Sequence, residues 1–169
     1  MTGERSYGLA ASDESAGERG QFVAFRIGDQ RYCVDIMSVR EIRVTSTITP
    51  LPGAPEFVRG VINLRGTIVP VCDLRSRFGQ GMTELSRGHA IVIVSIAGRL
   101  TGLLVDEVCD IVEAAAAEMA PVPETDSSRR NPFFNGLITK VDGMLIMVSL
   151  DCLMDGAARP QAMLAEKVA

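Results

Sequence analysis

The chain has 169 residues, of which 47% are hydrophobic, and its formal net charge is −4. This composition is that of a globular protein. A protein that binds single-stranded nucleic acid normally has a basic surface and many stacking side chains. The negative charge, the 5% aromatic content and the absence of Trp therefore argue against nucleic acid as a partner.

The cysteines and the apolar segments indicate a cytoplasmic protein. The four cysteines are far apart and include no C-x-x-C pair: Cys33, Cys72, Cys109 and Cys152. We expect them to be small buried hydrophobic residues in a reducing compartment. The N-terminus lacks the apolar segment of a signal peptide. The apolar runs are much shorter than the roughly 20 residues that span a bilayer, so we expect no direct membrane insertion.

The first ordered element is predicted to be a hairpin. Residues 1–20 are rich in Gly, Ser, Ala and Glu without hydrophobic periodicity, and we expect a disordered tail. Alternating apolar side chains predict strands at 22–27 and 31–36, and residues 28–30 supply the turn between them. Residues 37–43 have the spacing of a short helix.

A rigid loop and a second hairpin follow. The proline-rich segment 50–55 cannot continue a helix or a strand. Beyond it we predict two strands joined by a tight turn at Arg65 and Gly66, then a helical turn and a polar linker. The predicted ranges are 61–64 and 67–72 for the strands, 74–78 for the helical turn and 79–88 for the linker.

The second half of the chain repeats the first. Residues 57–74 match residues 133–150, and residues 22–42 match residues 90–112. The repeated order predicts a second set of elements: strands at 90–96, 100–105, 137–140 and 144–150, a helical turn at 106–110 and a proline-containing loop at 121–132. Many short strands separated by Gly and Pro indicate small barrels rather than a βαβ sheet.

Glycines mark corresponding places in the two copies. The alignment matches Gly60 with Gly136 and, after one inserted residue, Gly66 with Gly143. A conformation that folding alone requires should be kept in both copies. We therefore assign structural turns to Gly66, Gly136 and Gly143.

The duplication predicts two similar lobes, about 21–88 and about 89–155, in an all-β protein with a few short helices. Each lobe is near the lower size limit of an independent domain, so the lobes should share an interface. Residues 156–169 are expected to be a C-terminal tail or a short helix. The first lobe has nine basic and six acidic side chains and the second has four and ten, or +3 against −6. This difference is either chance variation of a solvated surface or a sign of weak head-to-tail contacts between the lobes of neighbouring, similar proteins.

Catalytic and metal-binding patterns are weak. His89 is the single histidine and lies in the predicted linker, so a nucleophile has no base at a recognisable spacing. No phosphate-binding glycine motif occurs. The carboxylates of Asp106, Glu107, Asp110 and Glu113 could hold Mg²⁺ only with further ligands, and a solvated acidic face is the simpler interpretation. We expect a protein that is not an enzyme and that has no catalytic residue, metal or cofactor.

The two copies differ in two charged segments of the first lobe. Residues 63–65 read Asn-Leu-Arg and residues 39–43 read Val-Arg-Glu-Ile-Arg, and the second copy has different residues at both places. Each segment has charged residues beside apolar ones, as a protein-binding hot spot does. Alternatively, Arg65 and Glu41 pair with each other as an ordinary surface ion pair.

Together, residues 39–43, the proline-rich loop and residues 57–75 resemble the signature of the CheW-type coupling proteins of bacterial chemotaxis. The similarity extends from about residue 21 to about residue 155. The resemblance implies two intertwined five-stranded SH3-like barrels. It also implies a non-enzymatic adaptor that joins the cytoplasmic tips of chemoreceptors to the regulatory domain of the histidine kinase CheA. Such an adaptor controls kinase activity in chemosensory arrays.

The same resemblance places the receptor-binding residues at Val39, Glu41, Gly60 and Arg65. It implies a cytoplasmic location at membrane chemoreceptor clusters, with weak self-association in array rings, and leaves the kinase-binding residues unassigned. Two alternatives are an adaptor of a non-flagellar sensory array and a small-molecule-binding β-barrel. The second is disfavoured because barrels of five strands are filled by their own side chains.

Overall fold

The computed structural model describes residues 19–44, 47–84, 89–123 and 133–153. Within these ranges the chain forms eleven strands: β1 (Gly20–Ile27), β2 (Gln30–Asp35), β3 (Val39–Val44), β4 (Val58–Leu64), β5 (Thr67–Asp73), β6 (Ala90–Ile96), β7 (Arg99–Val105), β8 (Glu107–Ala114), β9 (Met119–Ala120), β10 (Phe134–Lys140) and β11 (Gly143–Val148). The described helices are short: the 3-10 turns Ile36–Ser38 and Ala116–Glu118 and the α-helices Leu74–Arg77 and Leu150–Leu153. The predicted all-β class is confirmed. The predicted tails lie outside the described residues, except for the end of the first.

The strands form two sheets, and each sheet takes strands from both halves of the duplication. One sheet has the order β8-β1-β2-β11-β10-β9 and the other has the order β3-β6-β7-β5-β4. The first hairpin of each copy therefore inserts between strands of the other copy, which confirms that the lobes are intertwined. The sequence boundary near residue 88 is consequently not a boundary between sheets. We name the two units the six-stranded lobe and the five-stranded lobe.

Each lobe is completed by the segment that follows its long outer strand. After β3, Thr49 forms an antiparallel bridge with Val61 of β4. After β8, the two-residue strand β9 pairs with Leu137 and Ile138 of β10. Because β9 is long enough to count as a strand, its lobe has six strands where the sequence predicted five. The two lobes thus follow the same path.

Three clusters of buried apolar side chains hold this arrangement together. One cluster lies within the five-stranded lobe and includes Ile62 and Ile93. A second lies within the six-stranded lobe and includes Phe22 and Ile138. The largest cluster draws on both sheets and therefore forms the interface between the lobes, as two small lobes that share stability require. The lobe interiors are occupied by the protein's own side chains, which weighs against the small-molecule-binding alternative.

The cysteines differ in burial. Cys33 and Cys72 are buried, as predicted, whereas Cys109 is exposed on β8. Burial raises the pKa of the Cys33 thiol and of the Cys72 thiol to about 12 in each case. Both buried thiols therefore stay protonated at neutral pH and unreactive as nucleophiles.

The two folded lobes differ in net charge, as the two halves of the sequence do, even though each lobe contains strands from both halves. The described residues of the five-stranded lobe, within 39–105, include seven basic and four acidic side chains, a balance of +3. Those of the six-stranded lobe, within 19–38 and 106–153, include four basic and nine acidic side chains, a balance of −5. The folded lobes are thus of opposite charge, although their boundaries differ from those predicted.

Residues 37–43, for which helical spacing was predicted, form a strand instead. A single 3-10 turn at Ile36–Ser38 is followed by β3, which pairs with β6 over its whole length. Three of the six residues of β3 are Val or Ile, and these β-branched side chains suit an extended chain better than a helix. The correction matters because β3 carries two of the predicted receptor-binding residues.

The turn alignment of the two copies also needs correction. Leu64 pairs with Thr67 across one turn, and Lys140 pairs with Gly143 across the other. Both turns therefore have two residues, Arg65–Gly66 and Val141–Asp142, and neither has an insertion. Gly143 corresponds to Thr67 rather than to Gly66, so matching the glycines shifted the alignment by one residue.

Gly136 was predicted to be a turn residue but lies inside β10. The ladder between β10 and β11 shifts register between Phe134 and Gly136, and the ladder between β4 and β5 does the same at Gly60. Each glycine sits where the chain after the outer strand crosses closely over the bulge. Close approach and not a turn therefore accounts for both glycines, and the approach is much closer at Gly60 than at Gly136.

Candidate protein-binding surface

The turn between β4 and β5 is built to hold Arg65 in one position. Arg65 has φ 51° and Gly66 has φ 89°, so both central residues are left-handed, as a type I′ hairpin turn requires. The backbone N–H of Gly66 donates a 2.7 Å hydrogen bond to Oδ1 of Asn63. A left-handed conformation costs a non-glycine residue roughly 1–2 kcal/mol. The turn and its Asn63 bond maintain that conformation and keep Arg65 at the tip.

The fold brings this tip against β3. Nη2 of Arg65 donates to Oε1 of Glu41 at 2.8 Å, and Nη1 of Arg43 donates to Oε2 of Glu41 at 3.0 Å. One carboxylate is therefore shared by two guanidinium groups, and the cluster has a net charge of +1. Hydrogen bonding from Arg65 is the largest cause that holds the pKa of Glu41 below its ordinary value, with Arg43 acting in the same direction.

Arg65 pairs with Glu41, as the alternative of a surface ion pair predicted. The guanidinium group of Arg65 nevertheless remains accessible to a partner. The Arg65 side chain is 71% exposed, whereas that of Glu41 is 24% exposed. A guanidinium group has five N–H donors, so bonds to one carboxylate leave donors for a partner. An exposed ion pair contributes little to stability, so an intermolecular pair can replace it at little cost in free energy.

Val39 and Gly60 have different positions from the charged pair. Val39 is the first residue of β3, is half-buried and packs against the cluster between the lobes. Gly60 is buried and has φ 146°, and a Cβ placed there would lie 2.1 Å from the backbone oxygen of Thr49. Gly60 therefore shapes the lobe beneath the surface and presents no side chain to a partner.

Sequence reasoning missed the apolar part of this surface. Ile42 and Val44 are exposed on β3, and Ile68 is exposed immediately beyond the turn. Apolar residues on both faces of the strand 39–44 could have predicted it. Because residues 37–43 were interpreted as a helix, the two faces of a strand were not considered. Exposed apolar side chains beside a displayed arginine are typical of protein interfaces. We call Glu41, Ile42, Val44, Arg65 and Ile68 the Arg65 surface.

Metal and membrane sites find no support in the part of the chain that the structure describes. No group of three His, Cys, Asp or Glu side chains there could hold a metal ion. The carboxylate of Asp106 instead accepts hydrogen bonds from Arg75 and from the backbone of Gly28, both at 2.8 Å. None of the described helices is long and apolar enough to cross a membrane.

Comparison with known proteins assigns this architecture to a family. Residues 21–158 match the model of the CheW-like domain. The chain belongs to the CheW-like family. It is 39% identical to the chemotaxis protein CheW of Rhizobium meliloti over 84% of this chain and 92% of that protein. It is 35% identical to the chemotaxis protein CheW of Klebsiella aerogenes over 87% of this chain and 90% of that protein.

A solved structure of a CheW protein agrees with the fold. The scaffolding protein TtCheW from Thermoanaerobacter tengcongensis superposes with a TM-score of 0.74 at 35% identity, covering 80% of this chain and 92% of that one. As a CheW-like protein, the chain is a non-enzymatic chemotaxis coupling adaptor. Its relatives do not favour the alternative of a non-flagellar array.

Proposed function

We propose that the Arg65 surface binds the cytoplasmic tip of a chemoreceptor, while other faces of the adaptor bind the regulatory domain of CheA. The observation that carries this proposal is the left-handed turn that displays Arg65 in contact with Glu41, on a hairpin and a strand that also carry the exposed side chains of Ile68 and Ile42. Arg65 would donate to a carboxylate or carbonyl group of the receptor helices. Glu41 would then accept from a basic or polar group, and the apolar side chains, with Val39 next to them on β3, would cover the contact.

Two substitutions test the receptor contact. Truncating a charge that is desolvated at an interface costs about 2–5 kcal/mol, because its partner remains unpaired. Arg65→Ala and Glu41→Lys should therefore weaken binding to a purified receptor cytoplasmic fragment by tenfold or more in isothermal titration calorimetry. Val141→Ala changes the corresponding turn of the other lobe and is the matched control. Wild-type affinity of Arg65→Ala, or loss of its folded circular-dichroism spectrum, would contradict the proposal.

The opposite charges of the lobes support the kinase contact. A basic five-stranded lobe and an acidic six-stranded lobe fit head-to-tail contacts with the similar domain of CheA or with a second copy in array rings. Such contacts weaken as salt screens exposed charges. Binding of the CheA regulatory domain should therefore fall between 50 mM and 500 mM NaCl on the order of tenfold. Equal affinity at both concentrations would contradict the electrostatic part of the proposal.

The adaptor would then be located in the cytoplasm at membrane receptor clusters. A fluorescent fusion should form clusters in cells that contain receptors and should become diffuse when the receptors are deleted. Clusters that persist without receptors would contradict this location.

A further inference from the structure

The six-stranded lobe contains a surface built in the same way as the Arg65 surface. β3 and β8 each bulge one residue before the relevant carboxylate, which is Glu41 in β3 and Asp110 in β8. The two-residue turn Val141–Asp142 occupies the place of the turn Arg65–Gly66. The same backbone therefore brings a turn and an outer strand together in both lobes.

The charges of the two surfaces are inverted. At the Arg65 surface, Arg43 and Arg65 share one carboxylate. In the six-stranded lobe two carboxylates share one guanidinium: Arg31 lies 3.6 Å from Asp110 and 3.5 Å from Asp142. The outermost group is also reversed, since Asp142 is 75% exposed above an Arg31 that is 27% exposed. This cluster has a net charge of −1 and presents its carboxylates to solvent.

Apolar side chains accompany the inverted cluster at corresponding positions. Ile111 on β8 corresponds to Ile42, Met144 on β11 corresponds to Ile68, and all four are exposed. Val141 is fully exposed at the turn tip. Single exposed hydrophobic residues are common on protein surfaces and need no explanation. Exposed hydrophobic residues that recur at corresponding positions around an ion cluster are the composition of an interface.

Ile111 and Val141 border a groove. The groove has a volume of about 430 Å³. It is lined by apolar side chains, carboxylates and three basic side chains: Ile111, Val112 and Val141; Asp110, Glu113, Glu118 and Asp142; and Arg19, Arg31 and Lys140. Each basic side chain pairs with a lining carboxylate, and the lining has a net charge of −1. Asp110, Glu113 and Asp142 are more exposed than the three basic groups, so the groove presents mainly carboxylates to solvent. We call this surface the acidic groove.

We propose that the acidic groove is a second docking surface, which binds a basic segment with interspersed apolar side chains from a partner protein of the receptor–kinase assembly. Charge complementarity determines the choice of occupant. Lys or Arg of the partner would pair with Asp110 and Asp142, and apolar side chains would cover Ile111 and Val141. A receptor segment that fits the Arg65 surface would have the wrong charge here.

The N-terminal residues of the same chain are a poorer occupant. Arg19, the first described residue, lines the groove, so residues 1–18 are the segment of this chain to compare with a separate partner. They contain four acidic residues and one basic residue, a balance of −3, which the rim carboxylates would repel. The groove therefore fits a separate basic segment better than this one.

Site-specific photo-crosslinking tests the proposal in an assembly reconstituted from the full chain, CheA and a receptor fragment. A photoreactive p-benzoylphenylalanine replaces Val141, and the crosslinked peptides are identified by mass spectrometry. We expect an adduct with a partner segment that contains Lys or Arg among apolar residues. Adding Asp110→Lys and Asp142→Lys should reduce its yield at least fivefold. The control position is Ala97, which occupies the first place of another exposed two-residue turn.

The outcomes separate this inference from the receptor proposal, on which it depends only for the composition of the assembly. A yield at position 141 no higher than at Ala97, an adduct with residues 1–18, or an adduct with an acidic segment would overturn it. The same photoreactive residue at Ile68 should crosslink to the receptor. An adduct at position 68 without one at position 141 contradicts the acidic groove alone, and the reverse result contradicts the receptor surface alone.

Discussion

The corner that follows β5 and the corner that follows β11 have the same backbone and different side chains. The N–H of Asp73 donates to the carbonyl of Phe57 at 2.7 Å, and that of Ser149 donates to the carbonyl of Phe133 at 2.6 Å. Asp73 is completely buried, whereas Ser149 is half-buried. The repeated backbone bond explains the shared fold. Among the described residues, the buried carboxylate of Asp73 belongs to the lobe that carries the Arg65 surface, and the other lobe has no fully buried carboxylate.

Asp73 connects three parts of the five-stranded lobe. Its carboxylate accepts from Arg59 of β4 at 2.9 Å, from the N–H and hydroxyl of Thr83 at 2.8 and 2.6 Å, and from the N–H of Ser76 at 3.3 Å. The network attaches the loop at Thr83 to the end of β5 and the start of the following helix. In the described part of the chain, these polar contacts brace the five-stranded lobe, and Ser149 supplies no carboxylate at the corresponding corner of the six-stranded lobe.

The largest expected effect comes from removing this brace. Asp73→Ala leaves the largely buried Arg59 without its carboxylate, and breaking such a pair costs about 3–5 kcal/mol of unfolding free energy. Ser149→Ala, at the corresponding place, should change it by less than about 1 kcal/mol. Urea unfolding of both variants measures the difference. Asp73→Asn keeps the size of the side chain and should fall between them. Equal losses for the two alanine variants would show that Asp73 is not a special support.

A second comparison concerns the two bulge glycines. At Gly60 an added Cβ would meet the backbone oxygen of Thr49 at 2.1 Å, and φ is 146°. At Gly136 an added Cβ would lie 3.1 Å from Sδ of Met147, the flexible part of a side chain that can move aside, and 3.3 Å from the backbone oxygen of Ala120, a contact that a shift of a few tenths of an ångström relieves. Gly60→Ala should therefore cost about 2–4 kcal/mol, from strain and overpacking together. Gly136→Ala should cost at most about 1 kcal/mol.

Thermal unfolding monitored by circular dichroism checks this pair of variants. If Gly60→Ala keeps wild-type stability, the close crossing of the chain at Thr49 is not required for the fold. Weaker receptor binding by a stable Gly60→Ala protein would instead assign Gly60 a role at the surface itself.

Local patterns predicted the hairpins and the duplication, because alternation and turn glycines depend on near neighbours in sequence. They could not predict which hairpin each strand would join. The insertion of β6 and β7 between β3 and β5 is decided by packing between residues far apart in the chain. The helix prediction for residues 37–43 was wrong because the local pattern itself is ambiguous: its apolar spacing fits both a helix and an edge strand.

The sequence predicted the charged residues of the candidate site but not its exposed apolar residues. Glu41 and Arg65 were noticed because they differ between the copies, and their 2.8 Å contact follows from the fold. Ile42 and Ile111 are the same residue type at corresponding positions, so differences between the copies could not identify them. Residues that a duplication preserves can serve binding as well as folding.

The two hairpin tips offer a smaller test. Asn63 accepts the 2.7 Å bond from Gly66 that maintains the left-handed turn, and Thr139 occupies the corresponding position in β10. Asn63→Ala should lower the free energy of unfolding by about 0.5–1.5 kcal/mol, the net contribution of one hydrogen bond. It should also weaken receptor binding, because Arg65 loses its fixed position. Thr139→Ala should do neither. Unchanged receptor affinity in Asn63→Ala would show that the turn does not position Arg65.

The smallest expected effect is a change in the titration of Glu41, compared with Glu118 of the six-stranded lobe. Arg65 is the largest cause that lowers the pKa of Glu41. The largest cause that lowers the pKa of Glu118 is the backbone N–H of Ala115, with Lys140 second. Arg65→Ala should therefore return the pKa of Glu41 most of the way to its ordinary value, whereas Lys140→Ala should move that of Glu118 less.

The sign of the pH dependence follows from the same shift. A carboxyl group whose pKa is lower in the folded state stabilises the fold above its ordinary pKa of 4.5, and that contribution is lost as the pH falls through the folded value. Wild-type protein should thus lose slightly more stability than Arg65→Ala on acidification below that value. Carbon-13 NMR titration of the side-chain carboxyl groups measures both pKa values directly. An unchanged titration midpoint for Glu41 in Arg65→Ala would mean that Arg43 alone lowers the pKa of Glu41 and that the Arg65 side chain does not contact β3 in solution.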